Sequence, residues 1–300
     1  MQKVERRIMF FFADVGEDEA GDPLPFDEEA HLKALSQLQG GDRYYSLADG
    51  RVVCAWATPK EGRLRVGNIR RNDLPQVEQD GKLKGLGLPA DAGLAEQMHV
   101  VFFDDNIVGA DFNFYGPRMS SVATYLKLRG NAPANLSFDP LVLQDIGPLI
   151  ARINEVTMFR LRIRPSFMDE LKKADETLHA AFEAAEKVSD AGEIELVVRI
   201  KPHARDGMLS KGLKAIVNKL RRSSEIGDQV SKFVIGGRDE TGAKVEDVDI
   251  LKNLITASKK VLKSGERTRA VQAESAFEAI EQARDELREQ IAAARRLSKL

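Results

Sequence analysis

The sequence predicts an α+β fold: two antiparallel-sheet domains with flanking helices and a long C-terminal helix. Three observations carry that expectation. Runs 43–48 and 51–58 flank Asp49-Gly50, and runs 97–103 and 107–114 flank Asp104-Asp105-Asn106, so strands arrive as hairpins and not as a βαβ repeat. Residues 156–164 alternate strictly, with Phe159, Leu161 and Ile163 on one side and Arg160, Arg162 and Arg164 on the other. The stretch 266–299 holds no Gly or Pro, and Ala273, Phe277, Ile280, Leu287, Ile291 and Ala294 fall on a heptad-like seam. The expected boundary separates an acidic domain, 1–152, from a basic domain, 153–300.

In chain order, residues 5–12 read as an opening strand. It leads into an acidic loop that Gly21, Pro23 and Pro25 keep irregular. Asp27 is the expected N-cap of a helix carrying Leu32, Leu35 and Leu38, stopped by Gly40-Gly41. After the two hairpins, Tyr115-Gly116-Pro117 breaks the chain, and a helix over 118–129 ends at Gly130. The strand at 156–164 is followed by a helix over 168–189 and a strand over 194–200. Residues 207–222 form an amphipathic helix with Leu209, Leu213, Ile216, Val217 and Leu220 inward. A further helix is expected over 248–263, presenting Lys252, Lys259, Lys260 and Lys263 outward. The final helix offers its seam either to its own domain or to a second copy, and self-association, hence a homodimer, is the expectation.

Composition narrows the chemistry. Of 300 residues, 43% are hydrophobic and 31% charged, which suits a globular chain. A lone Cys54 excludes an intrachain disulfide and fits a reducing cytoplasm. The apolar run Ile8 to Phe12 is far too short to span a bilayer. His31, His99, His179 and His203 show no metal-binding spacing, Gly81 to Gly87 lacks the Ser or Thr of a P-loop, and no nucleophile elbow occurs. No cofactor, metal or catalytic residue is therefore expected. A divalent-metal nuclease using Glu193, Glu195 and Lys201, and an interaction scaffold built on the last helix, are the alternatives.

The charge is where the sequence speaks. Residues 1–155 hold 17 Lys and Arg against 23 Asp and Glu, and residues 156–300 hold 28 against 24, so a formal net charge of −2 hides a polar chain. Eight acids and no base occupy 14–29. Within 199–222, eight bases (Arg199, Lys201, Arg205, Lys211, Lys214, Lys219, Arg221 and Arg222) face the single Asp206. Basic faces of this kind supply the phosphate term of sequence-nonspecific DNA binding. The scarcity of aromatics among them favours duplex over single strands. The candidate DNA-binding set is Lys201, Arg205, Lys211, Lys214, Lys219, Arg221, Arg222, Arg160, Arg162 and Arg164. Arg162-Ile163-Arg164-Pro165 and Arg199-Ile200-Lys201-Pro202 echo one another, which suggests a pseudo-repeat setting two basic strand ends side by side. The acidic run reads first as a solvated, flexible loop, with a DNA mimic that would cover the basic surface as the second reading.

A family resemblance covers roughly residues 40–215. Tyr44-Tyr45, Asp49-Gly50, Gly87-Leu88-Pro89, Tyr115-Gly116-Pro117, the helix to Gly130, and Ile200-Lys201-Pro202 before a basic helix resemble the lambda phage exclusion protein RexA family. The resemblance implies an RdgC-like fold and a cytoplasmic, homodimeric, sequence-nonspecific double-stranded DNA-binding protein. It further implies a prophage sensor of superinfection exclusion, or abortive infection, working with a RexB-like membrane protein partner. It carries over Lys201, Arg205, Lys211 and Lys214 as DNA contacts. The acidic run 14–29 departs from the family pattern.

Overall fold

The computed structural model describes residues 2–47, 51–89, 91–113, 115–143, 146–188, 192–200 and 212–297. In chain order the elements are β1 (Lys3–Asp14), α1 (Glu28–Gln37), β2 (Tyr44–Ser46), β3 (Val52–Thr58), β4 (Arg63–Arg70), β5 (Val77–Gln79), β6 (Lys82–Lys84), β7 (Leu94–Phe103), β8 (Ile107–Asp111) and α2 (Met119–Arg129). There follow β9 (Ser137–Pro140), α3 (Gly147–Arg152), β10 (Glu155–Ile163), α4 (Met168–Ala174), α5 (Glu176–Glu186), β11 (Ile194–Arg199), α6 (Leu213–Leu220) and α7 (Ile226–Gln229). The last are β12 (Val230–Arg238), β13 (Lys244–Asp249), β14 (Thr256–Leu262), α8 (Ala273–Glu286) and α9 (Arg288–Leu297). The fold is α+β with antiparallel sheets, as expected.

The chain divides into two compact units, 1–138 with 256–286, and 139–255 with 287–300. A single cut after residue 152 is therefore corrected. The cause is β14, which leaves the second unit and pairs antiparallel with β1, from Lys3 opposite Leu262 to Met9 opposite Thr256. The same pairing corrects the helix expected over 248–263. Its lysines do recur at helical spacing, yet only Leu251–Asn253 makes a helical turn, Val248 and Asp249 finish β13, and Thr256–Leu262 pairs as an edge strand. Sheet pairing outweighs local propensity here, and Lys259 and Lys260 are residues that suit an edge.

In the first unit the strand order is β14-β1-β8-β7-β4-β3-β2. Alternation gives this sheet two faces. Val53, Leu64, Val66, Val100, Val108 and Phe11 are buried toward α1 and α2. Ile8, Phe10, His99, Gly109, Asp111 and Val261 lie on the face under α8, where Phe277 meets His99 edge-on at 5.3 Å between ring centroids. A Cβ at Gly109 would lie 2.5 Å from Ile280 Cγ2, so glycine permits the close approach of α8. Arg63 fastens the helix with hydrogen bonds to Glu281 at 2.8 Å and Glu274 at 2.5 Å.

The uninterrupted C-terminal helix is also corrected. It breaks between Glu286 and Arg288. Phe277 and Ile280 of the seam are spent on the chain's own sheet, so that stretch is not available to bind a second copy.

The acidic loop is ordered by its own acids. Asp14 accepts from Gly16 N–H, Asp18 accepts from Ala20 and Asp22, and Asp27 caps α1 through Ala30 N–H at 3.0 Å. Asn106 takes a left-handed φ of 61° in the β7–β8 turn and bonds Ala13, Leu24 and Phe26, clasping the loop. The Asp104-Asp105-Asn106 turn is as expected, whereas Asp49-Gly50 lies outside the described residues.

Tyr125 on α2 is fully buried and donates its O–H to the Arg43 carbonyl at 2.6 Å. Burial pushes its phenol up to about 12 from 10.0. The folded state thus holds the proton more tightly than the unfolded chain does. This contribution is complete below pH 10 and is lost as pH rises toward 12. Denaturation followed by Trp56 fluorescence should show a steeper loss of stability between pH 10 and 12 in the parent than in Tyr125→Phe. Equal slopes would remove the assignment.

The second unit is a four-stranded sheet of order β11-β10-β12-β13. Phe159, Leu161, Ile163, Phe233 and Ile235 are buried on one face, against which Leu171, Phe182, Val217 and Leu220 of the helices complete a core. The expected helix over 168–189 is two helices, with Asp175 between them capping α5 through Leu178 N–H at 2.8 Å.

Candidate nucleic-acid interface

The second unit positions seven of the ten predicted DNA-binding residues, while Lys201, Arg205 and Lys211 lie outside the described residues. Period two on β10 places Arg160 and Arg162 on the sheet face opposite Phe159 and Leu161, as expected. What faces them is acid. β11 pairs antiparallel with β10, setting Glu195 directly opposite Arg162. Arg160 Nε donates to Glu195 Oε1 at 2.5 Å and Arg162 Nη2 donates to Oε2 at 3.1 Å. Hydrogen bonds from Arg160 and then Arg162 hold the Glu195 carboxyl below its ordinary range. Arg164 lies 4.0 Å from Glu193. The strand arginines are therefore largely balanced within the sheet.

The register also corrects the pseudo-repeat. In an antiparallel pair, the Ile163 end of β10 lies beside Ile194 at the start of β11, and Arg199 lies beside Met158. The two basic strand ends sit at opposite ends of the strand pair, not side by side. A parallel crossover was needed for that juxtaposition, and none connects these neighbours.

On the helix layer, α6 buries Leu213, Val217 and Leu220 and half-buries Ile216, as its periodicity predicts. Its cations differ in their commitments. Lys214 Nζ donates to the Ile153 carbonyl at 2.6 Å and to Ala151 at 3.2 Å, capping the carbonyl end of α3. Arg221 Nε donates to Asn218 Oδ1 at 2.9 Å. Lys219 is exposed with one long contact, 3.4 Å, to the Ala174 carbonyl, and Arg222 is exposed. Among the described residues neither Lys219 nor Arg222 meets a carboxylate. The strand arginines occupy the sheet face opposite the helices, so the seven described residues do not form one surface.

Two features were passed over in the sequence. Arg199 is exposed and unpaired among the described residues, and its membership in the basic block was signal enough to include it. In the first unit, arginines stack on aromatics: Arg65 lies 4.8 Å from the Trp56 ring and Arg71 lies 4.6 Å from Tyr44. The first pair sits directly opposed across β3 and β4. Aromatics are sparse within 199–222, but they do accompany cations here.

Among the described residues no group of three or more His, Cys, Asp or Glu could hold a metal ion. Of the two carboxylates of the nuclease alternative, Glu195 is engaged by Arg160 and Arg162, and Glu193 lies 4.0 Å from Arg164. No described helix is long and apolar enough to cross a membrane. No protein-family model and no curated protein matches the chain.

Proposed function

We propose that the chain is a sequence-nonspecific double-stranded DNA-binding protein whose second unit contacts backbone phosphates. The supporting observation is the exposed pair Lys219 and Arg222, three positions apart at the end of α6, with no carboxylate against either among the described residues. Such a pair continues the basic run that begins at Arg199. Solvated cations of this kind release phosphate counterions on binding and read no base edges. The sequence marks shared with the exclusion-protein family extend the proposal to a homodimeric sensor in superinfection exclusion with a RexB-like membrane partner.

Mobility shifts on unrelated duplexes over a salt series test the DNA contact. Affinity should fall steeply with salt. Lys219→Glu with Arg222→Glu should weaken all sequences alike, by about tenfold or more, and should flatten the salt slope by about two. No binding at low salt, or binding indifferent to the double variant and to salt, overturns the proposal.

A further inference from the structure

A cleft of about 460 Å3 in the first unit lies where the outset of β1, the segment after β8 and the loop between β14 and α8 meet. Its lining contains Lys3, Arg6, Lys263 and Arg269, together with Tyr115 and Asn113, and no carboxylate among the described residues. Four cations gathered this way repel one another unless an anion sits among them. One has a counter-charge, since Arg6 Nε lies 3.9 Å from the buried Asp111. The other three do not. Lys263 Nζ is held by neutral acceptors, the Glu266 carbonyl at 2.9 Å and the Gln2 side chain at 3.2 Å. Lys3 and Arg269 are exposed and meet no carboxylate among the described residues.

The cleft is also built. Arg6 donates to the carbonyls of Phe112 and Arg269, each at 3.2 Å, tying two of its walls together. Lys263 N–H bonds the Gln2 carbonyl, Ser264 N–H bonds Ala270, and Ala270 N–H bonds Thr268 Oγ1, closing the loop that carries Arg269. Asn113 is buried and donates to the Gln97 carbonyl at 2.8 Å, and its Oδ1 receives Tyr115 N–H, which anchors the backbone that carries the ring. Arg269 lies 4.4 Å over the Tyr115 ring, which is 48% exposed. A guanidinium stacked on a phenol presents the flat, cationic surface on which nucleobases stack.

We propose that this cleft binds a 5′-nucleotide, with its phosphate among Lys3, Lys263 and Arg269 and its base against the Tyr115 side. The volume falls within the range of small-molecule sites, roughly 300–1,000 Å3. Phosphate accounts for the uncompensated charge, and a base accounts for the aromatic wall. A free mononucleotide and the 5′-phosphorylated end of a strand share this chemistry.

Calorimetric titration of the full chain distinguishes the sources. Adenosine 5′-monophosphate should bind saturably and at least tenfold more tightly than either adenosine or inorganic phosphate. Arg269→Ala and Lys3→Glu, both at exposed positions, should each weaken it about tenfold. Tyr115→Ala should reduce its affinity to that of phosphate. A ten-nucleotide strand that binds more tightly with a 5′-phosphate than without, and loses that advantage in Arg269→Ala, identifies a strand end. An equal affinity of both strands with retained mononucleotide binding identifies the free nucleotide. Lys219→Glu with Arg222→Glu should leave mononucleotide binding unchanged, which separates this site from the duplex contact. No mononucleotide heat at millimolar concentration, or binding insensitive to both Arg269→Ala and Lys3→Glu, overturns the proposal. So does phosphate binding as tightly as the mononucleotide.

Discussion

Asp111→Ala should unfold the first unit more readily by about 3–5 kcal/mol, the usual cost of removing one partner from a buried charged group. The Asp111 side chain is wholly inaccessible, and its Oδ1 accepts the His99 backbone N–H at 2.6 Å and lies 3.3 Å from His99 Nδ1. Its Oδ2 lies 3.9 Å from Arg6 Nε. Alanine would leave a buried guanidinium nitrogen and a buried backbone donor without compensation, beneath a helix that excludes water. Trp56, the single tryptophan, sits on β3 of the same sheet, so a urea transition read by its fluorescence reports this unit. A shift below about 1 kcal/mol would show that the cluster contributes little.

Gly237→Ala is the corresponding prediction for the second unit. A Cβ at that position would lie 2.3 Å from the Glu155 carbonyl oxygen and 2.3 Å from Ile153 Cγ2, and a backbone oxygen cannot rotate aside as a side chain can. Strands β10 and β12 would have to separate where Val156 faces Gly237. About 3 kcal/mol of destabilisation is expected. Far-ultraviolet circular dichroism should detect it. The Trp56 transition, which belongs to the other unit, should move much less, and an equal shift of both signals would mean that the units unfold as one.

The parts of the fold legible in the sequence are those fixed by neighbouring residues. Alternation located β10 and β11, Asp27 located the start of α1, and the Asp104-Asp105-Asn106 turn located the β7–β8 hairpin, because each signal is local. The return of β14 to β1 joins residues more than 240 positions apart. Nothing near Lys259 announces it, and the lysine spacing imitates a helix. The site divides along the same line. The basic run near α6 could be counted directly, and its amphipathic pattern predicted which residues point inward. The neutralisation of Arg160 and Arg162 by Glu195 depends on strand register, and the commitment of Lys214 depends on where α3 ends. The nucleotide cleft draws on residues near 3, 115 and 269, so no window of sequence contains it.

The pairing of β14 with β1 also orders events in time. During synthesis β1 emerges well before its edge partner and the helix that roofs Asp111 and His99, which follow some 250 residues later. Residues 139–255 are delivered in between. The sheet of the first unit must therefore wait on the ribosome with one face bare, its Arg6 and Asp111 still hydrated. Asp111 and His99 become sealed from water only when α8 arrives, which makes that sealing a late step in the life of the nascent chain.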